Sequence, residues 1–483
     1  MRSVMDRTDF RPGERPRDRV GDRIVRWAPY LLLAVTMAWV AIRAARPLRD
    51  PDVWWHLRLG EDFLHQGSLA PPAHWSTFAT APWVPTQPVP EVASALVNRW
   101  FGLPGLAWMY VATVVGLVVG TYLLDRAHAS PLPAAVATLF FVVTAEGALT
   151  PRPQLLSFGF LALVIWAWLR TERDLRARWW LIPLSWLWSL CHGFWFVGVG
   201  YGVLAVLAVV AGRQVSVHQS LRLAAVAVGS GAIVVLNPVG TRVLAAPFAV
   251  SQRGRYITEW QRTSWGSGPA ITVLLAVVAV AAIWVWRRED VTWFKVVIAL
   301  SAVFWTWYAV RTVALAGVVM SPVVASALQT VFTASSSAPP ARVPRRERLG
   351  LVTGAAAVLT AVALVVPYSA ARPGMVPLAL DGQLDRLSAG TTVLNDYALG
   401  GWLAWRHPDL NRWADGLADA YPVRHLSDTR TVNFVEPGWE GVVRRSGATV
   451  ALLDERSTLA RDLEEDGWRP TGTDRGWVLL DKP

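Results

Sequence analysis

The chain has 483 residues, of which 53% are hydrophobic and only 17% are charged, and it includes 28 tryptophans. Soluble globular chains carry roughly 25% charged residues, so this composition excludes an ordinary soluble protein and predicts a polytopic α-helical membrane protein. The formal net charge is +11, and the single cysteine, Cys191, excludes an intrachain disulfide.

The chain begins with a polar segment and continues into apolar runs. Residues 1–23 are rich in Arg, Asp and Pro and are predicted to be a disordered tail. A transmembrane domain is predicted over residues 24–371, with about 11 helices, because roughly 20 apolar residues cross a bilayer. The run 179–212 is too long for one span and is divided at His192-Gly193. The predicted spans are 24–46, 104–124, 134–149, 154–170, 179–191, 194–212, 221–236, 270–286, 293–309, 312–331 and 349–367.

A long loop, residues 47–103, separates the first two spans and is predicted to hold surface helices at 52–66 and 89–100. Pro51 is favoured at a first helical position, and Asp50 is a good N-cap. On the first helix Asp52 and His56 are four residues apart and share one face. The apolar side chains of this helix are expected to lie in or against the membrane surface, as in interfacial helices: Trp54, Trp55, Leu59 and Phe63.

The last segment, residues 372–483, is predicted to be a soluble α/β domain. It holds 13 Lys+Arg against 17 Asp+Glu, so the basic excess of the chain lies in the membrane part. Short strands are expected at Val393-Leu394, Ala448–Leu453 and Trp477–Leu480. Helices are expected at Leu399–Arg406, Glu436–Arg445 and Ser457–Asp466.

Basic residues concentrate in alternate loops, which predicts the orientation of the bundle because cytoplasmic loops are enriched in Lys and Arg. The N-terminus is predicted to be cytoplasmic and the C-terminal domain extracytoplasmic. The charge therefore indicates topology, and no nucleic-acid partner is expected. The segments placed inside are 1–26, 125–133, 170–178, 212–222, 287–295 and 333–348.

This topology places the unusual polar residues of the membrane part on one side. Ionisable groups at membrane depth are costly and point to function, so the sequence predicts a single cavity at the outer face. The candidate site residues are Asp50, Asp52, Trp54, Trp55, His56, Arg152, Gln154, His192, Asn237, Glu259, Trp260 and Arg311.

Each candidate also has an ordinary structural explanation. Asp50 and Asp52 could only cap a helix and favour its dipole, and Arg152 could snorkel from a plain Pro-Arg-Pro turn. His192 could be a hydrogen-bonded histidine at a helix end, and Asn237-Pro238 an ordinary helix stop. Glu259-Trp260 could be a solvated pair. Arg311, between two apolar spans, is the hardest to explain in this way.

The chemistry that needs such a set is glycosyl transfer from a lipid-linked phosphate sugar. A carboxylate takes the proton of the acceptor hydroxyl, and we favour Asp52, with Asp50 as the alternative. Arg152 or Arg311 would stabilise the leaving phosphate, for which the guanidinium fork is well suited. The sequence contains no Walker loop, Rossmann glycine pattern, Gly-x-Ser-x-Gly or HExxH.

These motifs resemble the GT-C superfamily of polyprenyl-phosphate-sugar-dependent glycosyltransferases, and more closely a group of mostly uncharacterised bacterial GT-C-like membrane proteins. The resemblance covers nearly the whole chain. It is carried by Asp50-Pro-Asp-Val-Trp-Trp-His56, Arg152-Pro-Gln154, His192-Gly193, Asn237-Pro-Val-Gly240, Glu259-Trp260 and Asn395-Asp-Tyr-Ala-Leu-Gly-Gly401.

The resemblance implies that Asp50 or Asp52 is the catalytic base. Some members require a divalent metal there, such as Mg²⁺ or Mn²⁺, with these aspartates as candidate ligands; no other cofactor is expected. Such chains often continue with an Asp-Gly-Arg-like turn, whereas this one reads Asp415-Gly416-Leu417, so the resemblance assigns that turn no role.

The expected function is transfer of a sugar from a polyprenyl-phosphate donor to a cell-envelope glycan, lipid or protein, at the extracytoplasmic face of a bacterial inner membrane. One alternative is a transporter or flippase of envelope lipids, which would use the same cavity without chemistry. The other is a non-catalytic envelope scaffold.

Overall fold

The computed structural model describes residues 19–46, 48–70, 75–213, 215–287, 291–333 and 343–483. Residues 1–18 of the predicted tail lie outside this part, and α1 already begins at Arg19. The helices that precede the C-terminal domain are α1 Arg19–Ala44, α2 Asp52–Gln66, α3 Pro88–Asp125, α4 Pro131–Thr144, α5 Gln154–Asp174, α6 Leu181–Ser189, α7 Trp195–Gly212, α8 Val217–Ala232, α9 Ala246–Arg253, α10 Gly268–Trp286, α11 Trp293–Tyr308, α12 Val313–Thr333 and α13 Arg345–Ser369.

Each predicted span coincides with one of these helices. In the described part of the chain, 7 helical segments are long and apolar enough to cross a membrane, including those of α3, α5, α7, α10 and α13. The apolar stretches of α1, α4 and α11 are shorter, and α6 has 9 residues. A polytopic helical membrane protein is therefore confirmed, while the count of eleven depends on four helices with short apolar parts.

A sharp bend divides α3 into two arms. Gly102 has φ 64° and ψ −165°, a backbone conformation that residues with a Cβ rarely adopt. Pro104 follows, and its ring favours the start of a new helix. The arm before Gly102 is the surface helix predicted at 89–100, and the arm after it is the span predicted at 104–124.

The expectation that the apolar face of α2 meets the membrane is wrong. Trp54 is 1% exposed and stacks on Trp405 of the C-terminal domain, with ring centroids 5.2 Å apart. Trp55, Leu59 and Phe63 pack in one buried cluster with residues of the same domain, including Tyr421. An amphipathic pattern shows which face of a helix is buried but not what buries it. Here the C-terminal domain, and not lipid, covers the apolar face of α2.

The C-terminal part is an α/β domain, as predicted, with a five-stranded sheet in the order β2-β1-β3-β5-β4. Strands β2, β1 and β3 run parallel to one another, and β5 runs antiparallel to both β3 and β4. The strands are β1 Thr392–Asn395, β2 Asn411–Arg412, β3 Val450–Asp454, β4 Arg469–Asp474 and β5 Trp477–Asp481. The helices are α14 Asp381–Leu384, α15 Tyr397–Arg406, α16 Val423–Asn433, α17 Trp439–Ser446 and α18 Thr458–Glu465.

The loops that follow β1 and β2 face the membrane part. Carboxyl ends of parallel strands meet at one sheet edge and are the usual place for a binding site in open α/β sheets. Asn395, at the end of β1, holds the loop after β2 by donating to Ala414 O at 2.7 Å and accepting from Trp413 N at 2.9 Å. Gly401 on α15 approaches α2 so closely that a Cβ would lie 2.6 Å from Pro51 O. The sheet edge is thereby fixed over α2.

Candidate active site

A cavity of about 880 Å³ lies between α2, the C-terminal domain and the helix ends of the membrane part that face this domain. This is within the range of ligand-binding cavities, roughly 300–1,000 Å³. Nine of the twelve sequence-predicted site residues line it: Asp52, Trp55, His56, Arg152, Gln154, His192, Glu259, Trp260 and Arg311. Five separate segments of sequence thus meet at one place.

Three predicted site residues do not line the cavity and instead stabilise the surrounding structure. Trp54 stacks on Trp405 beneath the C-terminal domain. Asn237 donates through Nδ2 to Ser189 O at 3.2 Å and accepts from Val239 N at 3.1 Å, which matches the helix-stop explanation. Asp50 is buried behind the cavity wall.

Asp50 organises the start of α2. Its Oδ1 accepts from the backbone N–H of Asp52 at 3.0 Å, and its Oδ2 accepts from Arg152 Nε at 2.7 Å. The helix spans Asp52–Gln66, the bounds predicted for it. Both oxygens of Asp50 are therefore engaged in holding other groups.

Asp52 carries a carboxylate with one engaged and one unengaged oxygen. Oδ2 lies 3.1 Å from Arg152 Nη1. Oδ1 is buried, and neither it nor Nε1 of neighbouring Trp55 makes a hydrogen bond of normal geometry in the described part of the chain. Burial raises the pKa of Asp52 to about 6, against the lowering effect of Arg152, while Asp50 adds to the rise. The Trp55 N–H still lies close enough to lower the pKa of Asp52. This carboxylate can hold or release a proton close to neutral pH.

His56 turns to a residue that the sequence did not single out. Its Nδ1 lies 2.9 Å from Oε1 of Glu91, which is 1% exposed. Burial, reinforced by Arg152, lowers the pKa of His56 well below its ordinary value and keeps the ring neutral. Gly60 brings the two helices together, since a Cβ there would lie 2.0 Å from Glu91 O. An acid in the first turn of a helix is favoured by the helix dipole, so the sequence pattern alone does not mark Glu91 as a site residue.

His192 is held in one orientation just after the C-terminal end of α6. Its Nδ1 accepts from Phe194 N at 3.3 Å and lies 3.0 Å from Ser157 Oγ. Because Nδ1 accepts the Phe194 N–H, it carries no proton, so the Ser157 hydroxyl donates to it while accepting from Trp188 Nε1 at 2.7 Å. A neutral ring with its proton on Nε2 fits these partners.

Arg311 is the less engaged of the two candidate arginines. Its Nη1 lies 3.3 Å from Glu259 Oε2, and its guanidinium stands 5.8 Å from the Trp260 ring centroid and 5.9 Å from that of Phe194. Its Nε is buried and has no hydrogen-bond partner among the described residues. Arg152, by contrast, is bound to three carboxylates. Of the pair, Arg311 has donors left for a ligand.

The C-terminal domain closes one side of the cavity with residues absent from the sequence-based set. They follow β1 and β2 or lie on one face of α16, and include Tyr397, Gly416, Asp419 and Thr429. A Cβ on Gly416 would lie 2.1 Å from Asp52 Oδ1 and 2.4 Å from Trp55 Nε1. The Asp415-Gly416-Leu417 turn, to which the resemblance assigned no role, therefore lies directly against the candidate base.

The residues present do not fit a divalent metal. Across the described ranges, no group of three or more His, Cys, Asp or Glu side chains is arranged to hold one. Asp50, Asp52 and Glu259 do converge, but on the guanidinium of Arg152. A metal at the two aspartates stays a prediction from the resemblance alone.

Comparison with known proteins identifies the fold. No family model and no curated protein matches the sequence. Among solved structures, the chain is similar to an oligosaccharyltransferase of Archaeoglobus fulgidus tethered to an acceptor peptide, at 13% identity and TM-score 0.54, covering 90% of this chain and 70% of that one. It is also similar to ArnT of Cupriavidus metallidurans bound to undecaprenyl phosphate, at 15% identity and TM-score 0.51, covering 96% and 98%.

Both structures are membrane proteins of the GT-C glycosyltransferase fold, and the match extends over nearly all of the present chain. At 13–15% identity the similarity establishes the fold and not the reaction, which has to be inferred from the residues of the site. The chain is a multi-pass membrane protein with the GT-C fold.

Proposed function

We propose that the protein is a glycosyltransferase that moves a sugar from a polyprenyl-phosphate donor to an acceptor hydroxyl. The observation that carries the proposal is one cavity lined by both Asp52 and Arg311. The buried Oδ1 of Asp52 has no hydrogen-bond partner among the described residues, and the guanidinium of Arg311 is only partly engaged. The GT-C fold supports it, as does the lipid named in the ArnT structure.

Asp52 is the proposed general base. Catalysis of this kind is most efficient when the pKa of the base lies near the working pH, and burial brings that of Asp52 to about 6. As the acceptor oxygen forms its bond to the anomeric carbon, its proton passes to Asp52 and the bond from carbon to phosphate oxygen breaks. Asp50 supports this base by fixing the start of α2 and the position of Arg152.

Arg311 is the proposed partner of the donor phosphate. Its unpartnered Nε and its remaining Nη protons can donate to phosphate oxygens as charge accumulates on them. The aromatic rings of Phe194 and Trp260 stand beside it, and Phe304 lines the same cavity. These side chains suit the apolar start of a polyprenyl chain. Gln154 and His192 contribute polar contacts to the same cavity.

The acceptor is proposed to enter beneath the C-terminal domain, whose α16 face and β-strand loops form one wall of the cavity. We further propose that this side is extracytoplasmic, in a bacterial inner membrane, because the basic loops lie at the opposite helix ends. A cell-envelope glycan, lipid or protein would then be the acceptor.

Binding of a polyprenyl phosphate to the purified full-length protein tests the donor assignment. Native mass spectrometry with decaprenyl phosphate should show one bound lipid per chain. Arg311→Lys keeps the charge but loses the planar fork, and should weaken binding roughly 10-fold, the cost of about one charge-assisted hydrogen bond.

Arg262→Lys is the matched control. Arg262 stacks on Trp307, with its guanidinium 4.8 Å from the ring centroid, and lies on the same outer segment without lining the cavity. The Arg262→Lys protein should bind decaprenyl phosphate with the affinity of the wild type. Equal affinity in all three proteins would contradict the role of Arg311, and a wild type that binds no polyprenyl phosphate would contradict the donor class.

A further inference from the structure

The centre of the candidate site is a single guanidinium surrounded by three carboxylates. Arg152 Nε lies 2.7 Å from Asp50 Oδ2, and its Nη1 lies 3.1 Å from Asp52 Oδ2 and 2.6 Å from Glu259 Oε1. The Arg152 side chain is only 11% exposed. These acids come from two distant parts of the sequence, and Arg152 is the group that they share.

The partners of the carboxylate oxygens show how completely the cluster is occupied. Asp50 uses one oxygen for the Asp52 N–H and the other for Arg152. Glu259 uses one for Arg152 and the other for Arg311. Asp52 gives Oδ2 to Arg152, so Oδ1 of Asp52 is the one oxygen of the six without a donor.

A divalent cation could bind to these carboxylates only in place of Arg152. Mg²⁺ requires about six oxygens in octahedral array at about 2.0–2.1 Å, and usually takes one or two of them from carboxylates. To bind here it would have to displace Arg152 from its carboxylates and leave that guanidinium buried without its anions, which is strongly destabilising. Asp52, Asp50 and Glu259 also raise the pKa of Arg152 against the effect of burial, so the guanidinium stays charged.

We propose that Arg152 occupies the position of a divalent cation at this acidic centre, so that the protein carries its own permanent cation among Asp50, Asp52 and Glu259. Arg152 is then a positioning residue: it holds the orientation of Asp52 and balances the charge of the cluster, while Arg311 remains for the ligand. The proposal concerns the site on which the proposed function rests. Its test reads cation binding and not turnover, so the two can fail separately.

Titration of the purified full-length protein with Mn²⁺, followed by the electron paramagnetic resonance signal of the free ion, tests the proposal. The wild type should bind no stoichiometric Mn²⁺ up to about 1 mM, the range of weak carboxylate sites. Arg152→Gln removes the cation and frees three carboxylate oxygens, so it should gain about one Mn²⁺ per chain. Arg152→Lys keeps a cation and should gain none.

Two results would overturn the proposal. The first is stoichiometric Mn²⁺ binding by the wild type that is lost in Asp50→Asn. This result does not depend on whether any Arg152 variant folds. The other is an Arg152→Gln protein that elutes as a single species, melts near the wild-type temperature and still binds no Mn²⁺.

Discussion

At the scale of residues, the two aspartates Asp50 and Asp52 differ in which groups their carboxylate oxygens contact. Both oxygens of Asp50 hold other groups, the Asp52 N–H and Arg152. Asp52 lines the cavity and is held through Oδ2, while its buried Oδ1 has no hydrogen-bond partner among the described residues. The sequence favoured Asp52 because Asp50 had a competing job as a cap, and the geometry supports that preference.

The raised pKa of Asp52 predicts the pH dependence of turnover. A base must be deprotonated, so kcat/KM should fall tenfold per pH unit below about pH 6 and level off above it. Arg152 lowers this pKa, so Arg152→Gln should move the midpoint to higher pH. A pH–rate profile checks both, and a wild-type profile that is flat from pH 5 to 8 would contradict the assignment.

At the scale of elements, the turn after β2 is part of the cavity wall. Gly416 approaches Asp52 and Trp55 so closely that any side chain there would collide with both. The apolar face of α2 is covered by the same domain. The position of the candidate base therefore depends on a segment more than 300 residues later in the sequence. A hydrogen bond from Trp75 Nε1 to Asp415 Oδ2, at 3.0 Å, also ties this turn to the loop that follows α2.

Gly416→Ala tests this dependence. Its Cβ would force Asp52 or the turn to move, and a displacement of about 1 Å at a catalytic group costs on the order of 100-fold in rate. Gly382→Ala is the control, because a Cβ there meets nothing within 4 Å, and it should leave turnover unchanged. Wild-type turnover in Gly416→Ala, at an unchanged melting temperature, would show that the contact does not matter.

The sequence predicted some elements well and others poorly, for physical reasons. The spans, and the boundary between the surface helix 89–100 and the span 104–124, were predictable because apolar length and Gly/Pro positions act locally. Strand β2 was missed because it has two residues, and β4 because it is largely exposed and shows no clear alternation. Helix α16 was missed as well, with its mostly polar sequence.

The site was predictable in part. Topology alone brought nine of its residues to one face, since each follows or precedes a span. Glu91 was not found because a single acid in a helix first turn has an ordinary explanation. Gly416 and Tyr397 were not found because their role depends on how the C-terminal domain sits on α2, and no local pattern records that contact.

At the scale of the whole molecule, the GT-C fold places a membrane bundle under an α/β domain with the cavity between them. The proposed orientation, with the C-terminal domain outside, follows from the basic loops and can be tested by reporter fusions. Fusions ending at Arg342 and at Pro483 should report opposite sides of the membrane. The same side for both would contradict the eleven-span topology.

The most direct test of the central claim is turnover by Asp52→Asn. With a polyprenyl-phosphate sugar and envelope acceptors, the wild type should release polyprenyl phosphate and form a glycosylated product. Asp52→Asn should fold, bind the lipid and lose turnover by about 100- to 10,000-fold, the usual effect of removing a positioned base. Asp50→Asn, which can still accept the Asp52 N–H, should keep much of its activity. An active Asp52→Asn enzyme, or a folded Asp50→Asn protein that alone is inactive, would contradict the account.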